Sequence, residues 1–322
     1  MPCATVHLLT AGRTLDAWRE DPTRAPFDPH DKALVGDFLS GAMSPDMGFV
    51  AAVDRTVSEL VHYVETGSVV RALIDRSRTA GERAFAWGWG THHLTDVLIH
   101  PLVGRAVGEV LYGDPTKRVN ASENEEVHVS VEVGLDIIVQ NNHVNIPSPS
   151  GDVLHRGRLG FVAEALTDIY RLPVDPHRLA GDFRLAGRQI QAWPTLIRTL
   201  GRAWRINEPS RSFGVAAAAL RGFRSALPPE SAVRGLSRPQ RPPDWLPEEV
   251  ARIADDFPAC FQRGVESEGQ AFENRNLETG ELERDTVDHP KSEARLRWWL
   301  QTTGGQVRPE GEMFWNGSRD GR

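Results

Sequence analysis

Two cysteines, Cys3 and Cys260, are all that 322 residues contain. So few exclude a disulfide framework and make reduced thiols in an intracellular setting the simpler reading. No stretch approaches the roughly 18 uninterrupted apolar residues of a spanning helix, so stable membrane insertion is not expected. The opening residues, MPCATVHLLTAGRTLDAWRE, lack a basic segment followed by a long apolar run. They do not read as a secretory signal, and a cytoplasmic protein is expected. A basic excess is missing as well: 37 Lys and Arg stand against 44 Asp and Glu, a formal net charge of −7. That balance argues against nucleic acid as a partner. It leaves small phosphorylated substrates open, because local metal ions outweigh net charge.

Strand signals are equally scarce, and what remains is helix after helix. Residues 1–20, KALVGDFLSGAM, DRTVSELVHYVETGSVVRALIDRSR, GRLGFVAEALTDIYRL and EARLRWWLQTT all carry apolar residues at helical spacing. The third of these is one helix broken near Gly67, or two with Gly67 capping the first. ASENEEVHVSVEVGLDIIVQ is ambiguous. Its alternating valines suit a strand, whereas Ser122 with Glu125 forms a capping-box pattern and His128, Glu132 and Asp136 align at helical spacing; we read a helix. The expected fold is an all-α, multi-helix bundle. It divides into a helical body over 1–226, a Pro/Arg-rich linker over 227–247 and a helical C-terminal extension over 248–322, in which 248–274 is read as one helix.

Seven of the eleven histidines fall before residue 130. The densest stretch is THHLTDVLIH, residues 91–100, where His92, Asp96 and His100 stand at i, i+4 and i+8 and so share one side of a helix. Polar groups among apolar neighbours need partners, since burying them unpaired costs on the order of several kcal/mol. A metal is one such partner; backbone carbonyls satisfying core histidines are the other. For a single histidine the second reading is the commoner, but three residues at this spacing favour the metal. His128 and Glu132 form a further i, i+4 pair, and His7, Asp46 and His62 complete the candidate set. Histidine and carboxylate without thiolate suits hydrolytic zinc, with iron or manganese as alternatives. Several helices each offering one or two inward ligands is how bundles build multinuclear sites.

The order of these pieces resembles the zinc-dependent phospholipase C family, which includes bacterial phospholipases C, alpha-toxins and the catalytic domain of GPI-specific phospholipase D. The resemblance lies in ATVHLL, FLSGAMSPDMGF, HYVETG, FAWGWGTHHLTDVLIHPL and HVSVE, over roughly residues 3–135. It implies an all-α bundle holding two or three zinc ions. One would be held by Asp46, His62, His92 and Asp96, and a second by His100, His128 and Glu132. A third would share Asp96 as a bridge with His7 and the chain's own N-terminus. Asp96 and Asp46 are the residues expected to be catalytic. The first would fix the metal spacing; the second would both bind metal and take a proton from the attacking water. His100 follows Asp96 by a shorter interval than in the secreted members, and no lipid-binding β-domain follows residue 245.

These residues imply a metal-dependent phosphoric-ester hydrolase acting on a small phosphorylated or phospholipid-like substrate. The alternatives are a different reaction on the same scaffold, such as a phosphomonoesterase, a nuclease-like or a biosynthetic enzyme, and a non-catalytic helical metal-binding protein. Other polar and aromatic residues receive plainer readings. His93 points about 100° away from His92 and is expected to pack or to support a ligand from behind. His143 and His155 are read as solvated loop residues, Asp136 as a partner of His128 or a surface carboxylate, and Trp87 and Trp89 as core. Trp298, Trp299, Phe314 and Trp315 are read as a packing or dimer face, which would suit a homo-oligomer, and the Arg-Pro run at 234–243 as a solvated linker.

Overall fold

Asp31 accepts the backbone N–H groups of Ala33 and Leu34, and Thr79 exchanges hydrogen bonds with Glu82 in a capping box. Each satisfies donors that a helix start leaves orphaned, and together they begin the two helices around which the molecule is arranged. In the computed structural model, which describes residues 4–49, 55–142, 146–147, 159–187, 235, 238–286 and 288–304, these are α2 (Lys32–Met43) and α5 (Ala80–Tyr112). Around them lie α1 (Ala4–Glu20), α3 (Arg55–Tyr63), α4 (Thr66–Arg76), α6 (Glu125–Asn142), α7 (Leu159–Tyr170), α8 (Trp245–Glu266) and α9 (Pro290–Thr302). Among the described residues there is no strand, only an isolated bridge between Arg275 and Leu282. The all-α expectation holds.

Glycines let α2 and α5 touch backbone to backbone. A Cβ on Gly41 would lie 2.0 Å from the Phe85 carbonyl oxygen, and one on Gly88 would lie 1.9 Å from that of Phe38. No side chain fits at either position, so the crossing is fixed by the sequence. Two apolar clusters flank the centre of the bundle. One gathers Leu8, Phe38, Leu73, Phe85 and Phe261, the other Val6, Ile99, Val103, Leu135 and Val250. Trp87 and Trp89 are buried as expected, and Trp299 is buried with its indole N–H on the Tyr170 carbonyl. Trp298 is partly buried beside it; Phe314, Trp315, His143 and His155 lie outside the described residues.

Four local expectations are corrected. The α3–α4 break falls at Val64–Glu65, where Glu65 adopts φ 55°, two residues before Gly67. Gly67 lies inside α4 because the Glu273 carbonyl approaches it; a Cβ there would meet that oxygen at 2.4 Å. The cap of α6 is Asn124, whose side chain accepts from Val127 N, not Ser122, whose own N–H is held by Glu278. The helix starting at Trp245 stops at Glu266 and does not reach 274, because Glu268 and Gly269 turn left-handed at φ 51° and 86°. That turn sends Phe272 back into the core against Gly264 and Gly90. The described part of the Arg-Pro run buries Pro239 and Pro242, with the Gln240 carbonyl against Gly134 of α6. Its Arg238 and Arg241 remain exposed.

Candidate metal centre

Five segments deliver the polar residues to one buried place. His7 comes from the first turns of α1, whose N-terminus is fixed by Asp136: that carboxylate is fully buried and accepts the Thr5 backbone N–H. It is therefore no surface residue. Asp46 stands on the short 3₁₀ turn Pro45–Phe49 after α2, where Ser44 N–H reaches back to the Gly41 carbonyl and Pro45 has no N–H with which to continue the helix. His62 comes from α3, His92, Asp96 and His100 from α5, and His128 and Glu132 from α6. All eight are brought together.

The centre is threaded by Asp96. Its Oδ1 lies 3.2 Å from His7 Nε2 and 3.4 Å from His100 Nε2. Its Oδ2 lies 3.0 Å from His92 Nε2 and 3.4 Å from His62 Nε2. Asp46 Oδ1 adds contacts of 3.2 Å to His62 and 3.8 Å to His92, and its Oδ2 is 3.8 Å from His7. Glu132 Oε1 faces His128 Nε2 at 3.3 Å and His100 Nε2 at 3.5 Å. The imidazoles of His7 and His92 stack at 3.9 Å. The side chains of His7 and His92 are sealed from solvent, whereas His100 is 17% exposed.

The outer nitrogens decide what the inner ones can do. His62 Nδ1 contacts the Ser58 carbonyl at 2.6 Å, His92 Nδ1 the Ala42 carbonyl at 2.9 Å, and His100 Nδ1 the Leu277 carbonyl at 2.9 Å. A carbonyl only accepts, so in each ring the hydrogen sits on Nδ1 and a neutral ring turns a bare Nε2 lone pair inward. Those lone pairs meet carboxylate oxygens and, between His92 and His62, each other at 3.4 Å. Acceptor faces acceptor, and only a cation between them relieves the repulsion. Groups of ligand atoms close enough to share one ion are His7, His92 and Asp96, and Asp46, His62 and His92. Within these eight residues, Asp96 Oδ2, His7 Nδ1 and His128 Nδ1 are buried without a hydrogen-bond partner. This donor set fits zinc.

Without a metal, protons fill the same role. Burial opposes protonation of His62, but Asp46 and Asp96 outweigh it and push its pKa up to about 9. Burial also opposes ionisation of Asp46, yet His92, His62 and His7 hold it below the usual carboxylate range. For Asp96, burial is outweighed by His100, His92 and His7; for Glu132, by His128. Burial and the neighbouring His92 leave His7 lowered, despite Asp96. His93 packs away from the centre as expected, its Nε2 3.1 Å from the Glu273 carbonyl and 3.3 Å from Thr66 Oγ1. Burial lowers its pKa to about 3. The sequence reading missed the carbonyls of Ser58, Ala42 and Leu277, which carry no sequence signal. It also missed Glu278, a buried carboxylate accepting from Tyr63 Oη at 3.0 Å.

A helical bundle that buries histidine nitrogens and carboxylate oxygens around shared points is an all-α protein able to hold a metal ion. The profile of the family described as zinc dependent phospholipase C matches residues 6–174, more than half of the chain, and the chain belongs to that family. The match runs from α1 through α7, leaving α8, α9 and the loop between them outside it. No curated protein and no solved structure matches the chain. Family membership supports zinc and metal-dependent phosphodiester hydrolysis. No described helix is long and apolar enough to cross a membrane.

Proposed function

We propose that the protein is a zinc-dependent phosphodiesterase of the phospholipase C type, acting on a small phosphorylated or phospholipid-like substrate, with two or three ions held by His7, Asp46, His62, His92, Asp96, His100, His128 and Glu132. The observation that carries this reading is the set of His Nε2 atoms turned inward against the oxygens of Asp46, Asp96 and Glu132. When bound, divalent ions clamp phosphate oxygens, lower the pKa of water toward about 7 and stabilise charge developing in an in-line displacement.

The chain's own residues divide the remaining work. Asp96 presents one oxygen to each side of the centre and so fixes the spacing across it. Asp46, with His62 against Oδ1 and His7 near Oδ2, is the carboxylate placed to take a proton from an attacking water. His100, the most exposed of the eight at 17%, stands at the open edge where an anionic phosphate is received, with the buried Glu132 behind it. Buried apolar walls keep competing water out and strengthen each of these interactions.

Elemental analysis of the purified protein, followed by an assay panel of phosphodiesters and phosphomonoesters, tests this reading. Stoichiometric zinc and chelator-sensitive release from a phosphodiester are expected. Activity confined to monoesters would replace the proposed reaction, and protein without bound metal would overturn it.

A further inference from the structure

The loop joining α8 to α9 reaches the metal centre although the family match ends at residue 174. One peptide does most of this. Leu277 N–H donates to the His62 carbonyl at 2.9 Å, and the Leu277 carbonyl accepts from His100 Nδ1 at 2.9 Å. A single residue thus ties the end of α3 to the middle of α5, and through them two candidate ligands. Glu273 repeats the pattern about two turns back along α5, its carbonyl against His93 Nε2 and against Gly67 of α4.

Three features of the sequence shape the loop for this place. Pro101 follows His100 inside α5; lacking an N–H, it leaves the Val97 carbonyl without its helical donor. Gly280 sits over that carbonyl in a left-handed conformation, φ 74°, where a Cβ would lie 2.6 Å from Val97 O and 2.9 Å from Pro101 Cγ. Asn276, fully buried, braces the turn, accepting from Glu278 N and Thr279 N and donating to Ser292 Oγ of α9. The Leu277 carbonyl is held from both sides.

We propose that the Leu277 peptide is a positioning element of the metal centre: it fixes His100 with the hydrogen on Nδ1 and Nε2 toward Asp96 and Glu132, so the C-terminal segment completes the more open half of the site. This rests on the metal-centre reading of the eight residues. Partners that fix a ligand histidine's tautomer typically change metal affinity about 10–100-fold when lost.

The first measurement is the nitrogen spectrum of ¹⁵N-histidine-labelled, metal-free protein at alkaline pH, with His100 assigned by substitution. A hydrogen on Nδ1 is expected. A hydrogen on Nε2 would overturn the proposal, whether or not the protein binds metal, so its failure is separable from that of the functional reading. The second compares Gly280→Ala with Gly304→Ala. Both glycines have φ 74°, but a Cβ at Gly304 meets nothing within 4 Å. Gly280→Ala should weaken one bound zinc about 10–100-fold and lose the His100 signature, while Gly304→Ala keeps both. A folded Gly280→Ala protein with its full zinc content and an unchanged His100 tautomer would refute the clamp. If that variant does not fold, the wild-type tautomer decides.

Discussion

The two halves of the polar centre are held by different means. In the inner half, His62 is oriented by a carbonyl of its own helix and His92 by α2, pressed onto α5 at Gly41 and Gly88. The partners of both rings lie within the family-matched region; Leu277 meets only the backbone carbonyl of His62, not its ring. In the outer half, His100 depends on Leu277, about 180 residues away in sequence. The inner ligands are sealed and the outer histidine is 17% exposed. A reacting group needs access, and access removes neighbours that would otherwise orient the side chain. A distant segment then supplies the missing support.

The largest effect should come from the residue shared by both halves. Asp96→Asn removes the charge facing four histidines and is expected to abolish measurable turnover and release zinc from both sides. His93→Ala, which touches neither half, should cost no more than the 10–100-fold typical of an outer partner. Zinc content and initial rates measured side by side distinguish them; equal losses would mean that Asp96 does not bridge.

The next effect is on acid stability of the metal-free protein. The pKa of His93 falls from 6.5 to about 3 on folding, so between those values the unfolded chain binds the extra proton. Stability contributed by neutral His93 is therefore present above pH 6.5 and is lost as pH falls toward 3. At ~1.4 kcal/mol per pH unit this amounts to on the order of 5 kcal/mol. Denaturant midpoints of wild type and His93→Gln across that window should converge as pH falls; parallel curves would show that His93 is not held neutral.

The smallest effect sharpens the contrast between halves. Gly88→Ala pushes a methyl into the Phe38 carbonyl and should cost about 3 kcal/mol, at the upper end for overpacking. By moving α2 it should loosen His92 from Ala42 while leaving the His100–Leu277 contact intact, the reverse of Gly280→Ala. Histidine nitrogen spectra of the two variants read this directly. If both disturb the same imidazoles, the halves are one unit.

What was legible in the sequence follows from what each residue type can do. His92, Asp96 and His100 declared themselves because helical periodicity puts chemistry on one face and apolar residues on the others. His128 and Glu132 did the same once their segment was read as a helix. The α3–α4 break was misplaced because Gly67 offers a φ freedom that it does not use; its missing Cβ admits Glu273, a reason found only in three dimensions. Asp136 gave no sign of capping α1 because its partner is a backbone N–H. The carbonyls of Ser58, Ala42 and Leu277 were invisible for the same reason: every residue has one, and only the fold selects which faces a ring.

The two apolar clusters flank the centre, with α1 giving Leu8 to one and Val6 to the other, and they share the half-buried Leu98 and Ile146. Small single domains commonly melt all-or-none, whereas proteins with tightly bound metals depart from that behaviour. The polar centre joins helices that serve different clusters: α3 carries His62 and packs in the first, α6 carries His128 and packs in the second. A cation bonded to His62, His92 and Asp96 would couple the two sides mechanically, transmitting order from one cluster to the other. With protons alone in its place the link is weaker, so the bound ion should sharpen the melting of the whole molecule beyond what the shared Leu98 and Ile146 supply.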